Sequence, residues 1–302
     1  MRIAHKFKYE AQLSAEYTHV TWMLGASQFV PTGVIVAAGR NAAILHYGEN
    51  NSLLPKNPMD LVLVDAGISL HGYISDVTRT WPVGGVFSGD YKLVYEAVLD
   101  GHTRVCKAIK PGVEWEDMHR LANDVIVWHL VRRLGVMYGS LEEMKGKHVG
   151  GIFFPHGLGH LIGLEGHDVG GYPEGVKPID EPGLKNLRMR RKLEVGMVVT
   201  VEPGLYFNSN MLANAMGDPE VSKFFDLERM KELEARVGGV RIEDMVLVTE
   251  NGCEILSDSA PREIGEIEEL MRDARGEGWW SWLGNVVQEY SCGPKKNRWE
   301  RL

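Results

Sequence analysis

Four carboxylates sit where apolar strands should have none. Asp65 ends the run "LVLV", and Asp76 lies inside the β-rich stretch "GYISDVTRTWPVGG". Glu202 ends "MVVTV", and Glu243 stands between "VRI" and "MVLV". An ionised carboxylate in an apolar strand is costly unless a cation or hydrogen bonds compensate it. Alternation puts Val198, Thr200 and Glu202 on one strand face, and Arg241, Glu243 and Met245 on another. Any one of these acids, taken alone, reads as a strand end facing water, a turn residue, or (for Glu243) a partner of Arg241. Together they would repel one another and raise each other's pKa. A shared cation removes that conflict.

The segment "PHGLGHLIGLEGHDVGG" (155–171) adds His156, His160 and His167. His156 and His160 have the four-residue spacing of a helical metal motif, but Gly157 and Gly159 oppose a helix there. Carboxylates with a histidine form an oxygen-rich donor set. That favours Mn²⁺, with Co²⁺, Fe²⁺ or Zn²⁺ as alternatives, over a thiolate-type site. Two ions about 3.5–4 Å apart could share bridging acids and activate one water for hydrolysis.

Around these residues the pattern is α+β. "FVPTGVIVAAG" reads as a strand or loop ending at a turn, and "NAAILHYGENN" as a strand carrying His46 near its end. "MDLVLVDAG" and "GYISDVTRTW" read as antiparallel strands joined by a turn around 69–72. Helical periodicity follows through Leu93, Val94, Ala97, Val98, Val105 and Ile109, then through Trp115, Met118, Leu121, Val125 and Trp128, with Gly135 as a stop. "GMVVTVEPG" and "GGVRIEDMVLVTENG" each read as one strand. Residues 208–236 read as irregular, then helical, and "SAPREIGEIEELMRDAR" as a last helix. "KFKYEAQLSAEYTHVTWML" fits an amphipathic helix.

The net charge of −8 gives no electrostatic case for nucleic acid or an anionic membrane. No stretch approaches the roughly 20 apolar residues of a membrane span. Cys106, Cys253 and Cys292 are too scattered for a disulfide framework or a cysteine metal site, which fits a reducing compartment. No signal-peptide pattern opens the chain. A cytoplasmic location is expected.

The motifs "VDAG…YISDVTRTW", "FFPHGLGHLIGLEGHDVGG", "TVEPGLYF" and "GGVRIEDMVLV" resemble those of the pita-bread metallopeptidases. That family includes prolidases, Xaa-Pro aminopeptidases and methionine aminopeptidases. "HDVGGYPEG", "GLYF" and "APREIGEIEELM" look most like eukaryotic prolidases. Motifs in this order and spacing, spread over roughly 35–272, are highly specific. The resemblance implies a curved antiparallel sheet with flanking helices and a site for two Mn²⁺ ions. It implies metal ligation by Asp65, Asp76, His160, Glu202 and Glu243, with Asp76 and Glu243 bridging. A hydroxide bridging the two ions would attack the carbonyl carbon before proline. Glu202 would also shuttle the proton, and His46 and His167 would face the substrate and the developing oxyanion. Arg188, in "LRMRR" beside Arg190 and Arg191, would grip the carboxylate of a dipeptide. His156 and Arg241 look like supporting groups. The bland readings are a packed His46, a loop-holding His156 and a solvated Arg188.

The expected substrate is a small peptide with proline at its second position, either an Xaa-Pro dipeptide or a longer peptide losing its first residue. A homodimer is left open. Prolidase-like proteins resemble two-domain chains, and the smaller N-terminal domain appears absent here. The expected organisation is a segment of uncertain structure over 1–34, a catalytic domain over 35–275 and a tail over 276–302. That departure keeps open a third reading, an inactive binding protein of the same fold. A creatine-amidinohydrolase-like role is disfavoured, because those relatives work without metals.

Overall fold

The computed structural model describes residues 1–25 and 33–273. The Trp-rich tail over 276–302, Cys292 and residues 26–32 lie outside the described residues. The chain opens with α1 (Glu10–Met23) and β1 (Ile35–Ala38), followed by β2 (Leu61–Ala66), β3 (Ser69–Leu70), β4 (Tyr73–Ile74) and β5 (Val77–Pro82). Then come α2 (Gly89–Ala108), α3 (Trp115–Arg132), α4 (Leu141–Gly146) and α5 (Gly150–Phe153). The last part holds β6 (Val198–Val201), β7 (Gly204–Tyr206), α6 (Ser209–Met216), α7 (Pro219–Ser222), α8 (Leu227–Arg236), β8 (Gly239–Arg241), β9 (Asp244–Thr249), β10 (Gly252–Ile255) and α9 (Ile264–Asp273).

All the strand pairings are antiparallel, in the orders β1-β2-β5, β10-β9-β6, β3-β4 and β7-β8. Two long ribbons organise the sheets. The first runs up β2–β3 and back along β4–β5, turning at His71 and Gly72. Both turn residues have positive φ (52° and 88°), the backbone of a tight hairpin turn whose twist matches its strands. The second ribbon runs through β6–β7 and returns through β8–β9. Each ribbon is interrupted on both strands at the same level, and these interruptions carry Asp76, Glu202 and Glu243. The Glu243 N–H crosses between ribbons to the Thr78 carbonyl at 3.0 Å.

In this curved α+β architecture α2 packs against β6, β7, β8 and β10, and α1 against β1. In α2, Val94, Ala97, Val98 and Val105 are fully buried, as periodicity predicts. In α3 the buried face is Trp115, Met118, Ala122, Val125, Ile126 and Leu130, while Trp128 stands 43 % exposed on the other side. Ala4 and Leu13 of the first segment also pack into this core.

Several local expectations are corrected. "NAAILHYGENN" is no strand: Gly39–Ala43 forms a 3₁₀ turn and the chain then loops past His46. The Asn41 amide and the Tyr47 hydroxyl donate to Glu10, and the Ala43 carbonyl accepts from Asn208 Nδ2. Residues 238–252 hold β8, β9 and the start of β10 rather than one strand, because the backbone changes partner at Ile242-Glu243. Residues 209–222 contain two short helices, capped by the side chains of Asn208 and Asp218. Helix α1 is not amphipathic in the ordinary sense, since the residues it buries are Glu10 and Leu13.

Candidate metal centre

The two interrupted ribbons bring their acids to one cleft of about 780 Å³. Asp65, Asp76, His160, Glu202 and Glu243 line it, with His46, His156, His167, Arg188 and Arg241. Ligand atoms of Asp76, His160 and Glu243 lie within 4.8 Å of one another. Glycine makes two of the close approaches possible. A Cβ on Gly67 would sit 1.8 Å from the Ser75 carbonyl oxygen, so only glycine lets the two strands of the first ribbon close here. A Cβ on Gly159 would lie 2.0 Å from the Thr200 carbonyl oxygen, and its absence lays the histidine segment against β6.

His160 is prepared as a ligand. Its Nδ1 lies 3.0 Å from the Leu161 carbonyl, which can only accept, so Nδ1 carries the proton. Nε2 then presents a lone pair, 3.8 Å from Asp76 Oδ2 and 3.6 Å from Glu202 Oε1. Burial lowers the His160 pKa to about 4, so the ring is neutral at pH 7. Orientation through a backbone carbonyl is the usual way a metal-binding histidine is fixed. Its ring meets that of His167 edge-on, with centroids 4.5 Å apart.

The acids are short of positive charge. Burial raises the Asp76 pKa, and the charges of Glu243 and Asp65 add to the effect. Glu243 is raised well above the ordinary carboxylate range by burial, then by Glu202 and Asp65. Burial also raises Glu202; Arg241 opposes this, while Asp76 and Asp65 reinforce it. Arg241 is the buried cation among the described cleft residues, and it pairs with Asp65 at 2.6 Å rather than with Glu243, while Arg188 stands exposed. Buried carboxylates that destabilise one another, facing a neutral imidazole lone pair, fit a divalent cation with a preference for oxygen donors.

A layer of uncharged donors stands behind the acids. Thr78 Oγ1 donates to Glu243 Oε2 at 2.7 Å and accepts from Arg241 Nε at 3.2 Å. Thr200 Oγ1 accepts from the His160 N–H at 3.1 Å. His156 Nδ1 donates to the Gly157 carbonyl at 2.8 Å, so its Nε2 accepts from the Tyr206 hydroxyl, also at 2.8 Å. Tyr206 in turn accepts from Arg241 at 2.9 Å. His156 is thus a neutral supporting group, its pKa lowered to about 3 by burial and then by Arg241. Sequence reasoning missed Thr78, Thr200 and Tyr206. For Thr78 the available signal was its position two residues beyond Asp76 on a strand.

At the rim, Arg188 is exposed between the buried Leu187 and Met189 and lines the cleft. Its two neighbours are engaged elsewhere. Arg190 donates to Glu116 and to the Lys177 carbonyl, and Arg191 bonds the Gly170 carbonyl and Glu194.

Antiparallel ribbons thus bring four acids and one tautomer-fixed histidine to one cleft, a donor set that fits a divalent metal ion. The chain belongs to metallopeptidase family M24, whose model matches residues 1–250. It is 43 % identical over 264 residues to the Xaa-Pro dipeptidase of Rattus norvegicus, covering 87 % of this chain and 53 % of that protein. It is 40 % identical over 276 residues to a probable Xaa-Pro aminopeptidase of Coccidioides posadasii, covering 90 % of this chain and 57 % of that one. The structure matches Pseudomonas aeruginosa aminopeptidase PepP with a TM-score of 0.72 and 38 % identity, over 91 % of this chain and 56 % of that chain. The chain therefore spans about half the length of the curated relatives it matches. Among the described residues no helix is long and apolar enough to cross a membrane.

Proposed function

We propose that the chain hydrolyses Xaa-Pro bonds, with Xaa-Pro dipeptides as its substrates and two Mn²⁺ ions in the site. The observation that carries this reading is the convergence of Asp76, His160 and Glu243 within 4.8 Å, on a cleft whose rim presents Arg188. Asp65, Asp76, His160, Glu202 and Glu243 would hold the ions. When bound, the metals supply Lewis acidity toward the scissile carbonyl and lower the pKa of water.

The chain's own groups do the rest. Glu202 is half-buried beside His160 and would take a proton from the attacking water and pass it to the proline nitrogen. His46 and His167 face the cleft, where they can donate to the carbonyl oxygen as charge develops on it. Arg188 supplies a charge for the dipeptide carboxylate. An Xaa-Pro bond has no N–H, so the site needs no acceptor at that position. The division into a first segment over 1–34, a catalytic domain over 35–275 and a tail over 276–302 belongs to the same proposal. So do a cytoplasmic location, with which the free thiols of Cys106 and Cys253 are compatible, and a homodimer.

The test compares hydrolysis of Gly-Pro with that of a longer Xaa-Pro peptide by the Mn²⁺-loaded chain. Preference for Gly-Pro is expected. Preference for the longer peptide would make the chain an Xaa-Pro aminopeptidase, and no cleavage of either would favour a binding protein of this fold.

A further inference from the structure

One buried acid far from the cleft residues in sequence makes no ion pair among the described residues. Glu10, at the start of α1, is fully buried. Its Oε1 accepts from the Ala38 N–H at 2.8 Å and from Asn41 Nδ2 at 2.9 Å. Its Oε2 accepts from the Tyr47 hydroxyl at 2.7 Å and from the Ser52 N–H at 2.9 Å. Four donors thus fill the lone-pair sites of one carboxylate. The Glu10 N–H also donates to the Ser52 carbonyl at 3.0 Å, so that residue is held from both sides.

All four donors belong to β1 and to the loop after it. That loop carries His46, and His46, Tyr47 and Gly48 line the cleft. A second tie holds the loop's far end: Asn50 accepts from the Val36 N–H at 2.7 Å and donates to the Val34 carbonyl at 2.6 Å. Asn50 keeps a positive φ of 47° in doing so. No strand named above spans 44–52: the Asn208 amide holds the loop's start at the Ala43 carbonyl (2.9 Å), a single bridge joins Leu53 to Tyr9 at its end, and the Glu10 and Asn50 side chains hold what lies between. The same helix flanks the site. Tyr17, two turns further along α1, has its hydroxyl pushed up to about 12 by burial and then by the charges of Asp76 and Asp65.

We propose that Glu10 is a positioning residue: its carboxylate fixes the His46 loop against the cleft, so the first helix of the chain serves substrate handling as well as packing. The link to catalysis rests on the function proposed above; the clamp itself does not. A glutamine at position 10 fills the same space but turns an NH₂ toward two of the four donors. It would leave those donors unpaired and release one side of the loop.

The experiment compares wild-type protein, Glu10→Gln, His46→Asn and the double variant, all Mn²⁺-loaded. Amide hydrogen exchange at Ala38 and Ser52, whose N–H groups donate to the carboxylate, is expected to speed up in Glu10→Gln, while the segments bearing Asp65, His160 and Glu243 keep their protection and the metal content is unchanged. For Gly-Pro, kcat/KM should fall about 10- to 100-fold, the scale expected for misplacing a group by about 1 Å. In the His46→Asn background the same substitution should cost less than about twofold, since the group being positioned is gone. Should Glu10→Gln fail to fold, Tyr47→Phe removes one of the four donors and should give the same pattern at smaller size. Unchanged exchange at Ala38 and Ser52 overturns the clamp. An equal loss of kcat/KM in both backgrounds overturns the link to His46. A wild-type chain that cleaves no proline peptide defeats the proposed function instead, and hydrogen exchange still decides the clamp.

Discussion

Glu243 and Asp244 are neighbours in the chain and electrostatic opposites. Glu243 faces the cleft among other acids, bonded by the neutral Thr78 hydroxyl, and its pKa is driven far up. Asp244 points the other way, into a buried nest. Arg79 pairs with it at 2.6 Å, His102 at 3.0 Å and Arg262 at 3.7 Å, and the Ser257 hydroxyl donates at 2.5 Å. Burial works against Asp244 ionising, but the His102 hydrogen bond and the Arg79 charge outweigh it, and its pKa is held below the usual range. Arg79 also donates to the Glu243 carbonyl at 2.6 Å, which fixes the backbone between the two acids. Asp244, supplied with three basic partners by the protein, is structural. Acids left short of cations on a cleft are built for a cation from outside.

That contrast can be broken by substitution on either side. The largest effect is expected from His160→Ala, which removes the lone pair facing the acids. It should cost several kcal/mol of transition-state stabilisation, about 10³-fold or more in kcat/KM, with little change in the stability of the metal-free chain. Mn²⁺-dependent cleavage of Gly-Pro at wild-type rate would refute the assignment. On the structural side, Asp244→Asn leaves Arg79 buried without its charge partner. A loss of about 3–5 kcal/mol of folding stability is expected, read as a drop in the urea midpoint at unchanged m-value. If Asp244→Asn lowered metal affinity and left stability alone, the two acids would not be the opposites described.

The pH dependence of the metal-free chain sharpens the same point. Asp76, Glu202 and Glu243 have folded pKa values above their unfolded ones. Their contribution to stability is therefore full below the unfolded value, about 4, and is lost as pH rises through the folded values. Asp244 has the opposite sign: its contribution is present above about 4 and lost on acidification. Buried His156 and His160 act the other way below about pH 6.5, so thermal melts in a chelator should show Tm falling between about pH 6.5 and pH 8, by an amount that shrinks in Glu243→Gln. Mn²⁺ should oppose the fall, since the metal binds the deprotonated acids. The smallest effect concerns selectivity. Arg188→Ala should reduce kcat/KM for Gly-Pro by about 10- to 100-fold, as for loss of a charged hydrogen bond, and affect a longer Xaa-Pro peptide much less. Equal losses on both substrates would remove Arg188 from the carboxylate-binding role.

The sequence made much of the centre legible because each acid breaks an apolar pattern. Asp65, Asp76, Glu202 and Glu243 stand out in period-2 runs, and the glycines beside His160 exclude a helical pair with His156. The neutral layer behind them was not legible. Thr78, Thr200 and Tyr206 look ordinary in β-rich segments, and their roles depend on partners up to 165 residues away. The His46 loop was misread as a strand for a related reason. "NAAILHYG" has the composition of one, but its Asn41 and Tyr47 side chains bond Glu10 and its Ala43 carbonyl accepts from Asn208, which no local period reveals. The split of "GGVRIEDMVLV" was hidden as well, since a change of pairing partner leaves the apolar pattern intact.

The most direct test of the central claim is a Mn²⁺ titration of the metal-free chain, with bound metal measured by elemental analysis and Gly-Pro hydrolysis followed in parallel. Two ions per chain are predicted, with hydrolysis absent before metal and rising as the site fills. A chain that binds no Mn²⁺, Co²⁺, Fe²⁺ or Zn²⁺, or one that fills its site and cleaves no proline peptide, would contradict the account.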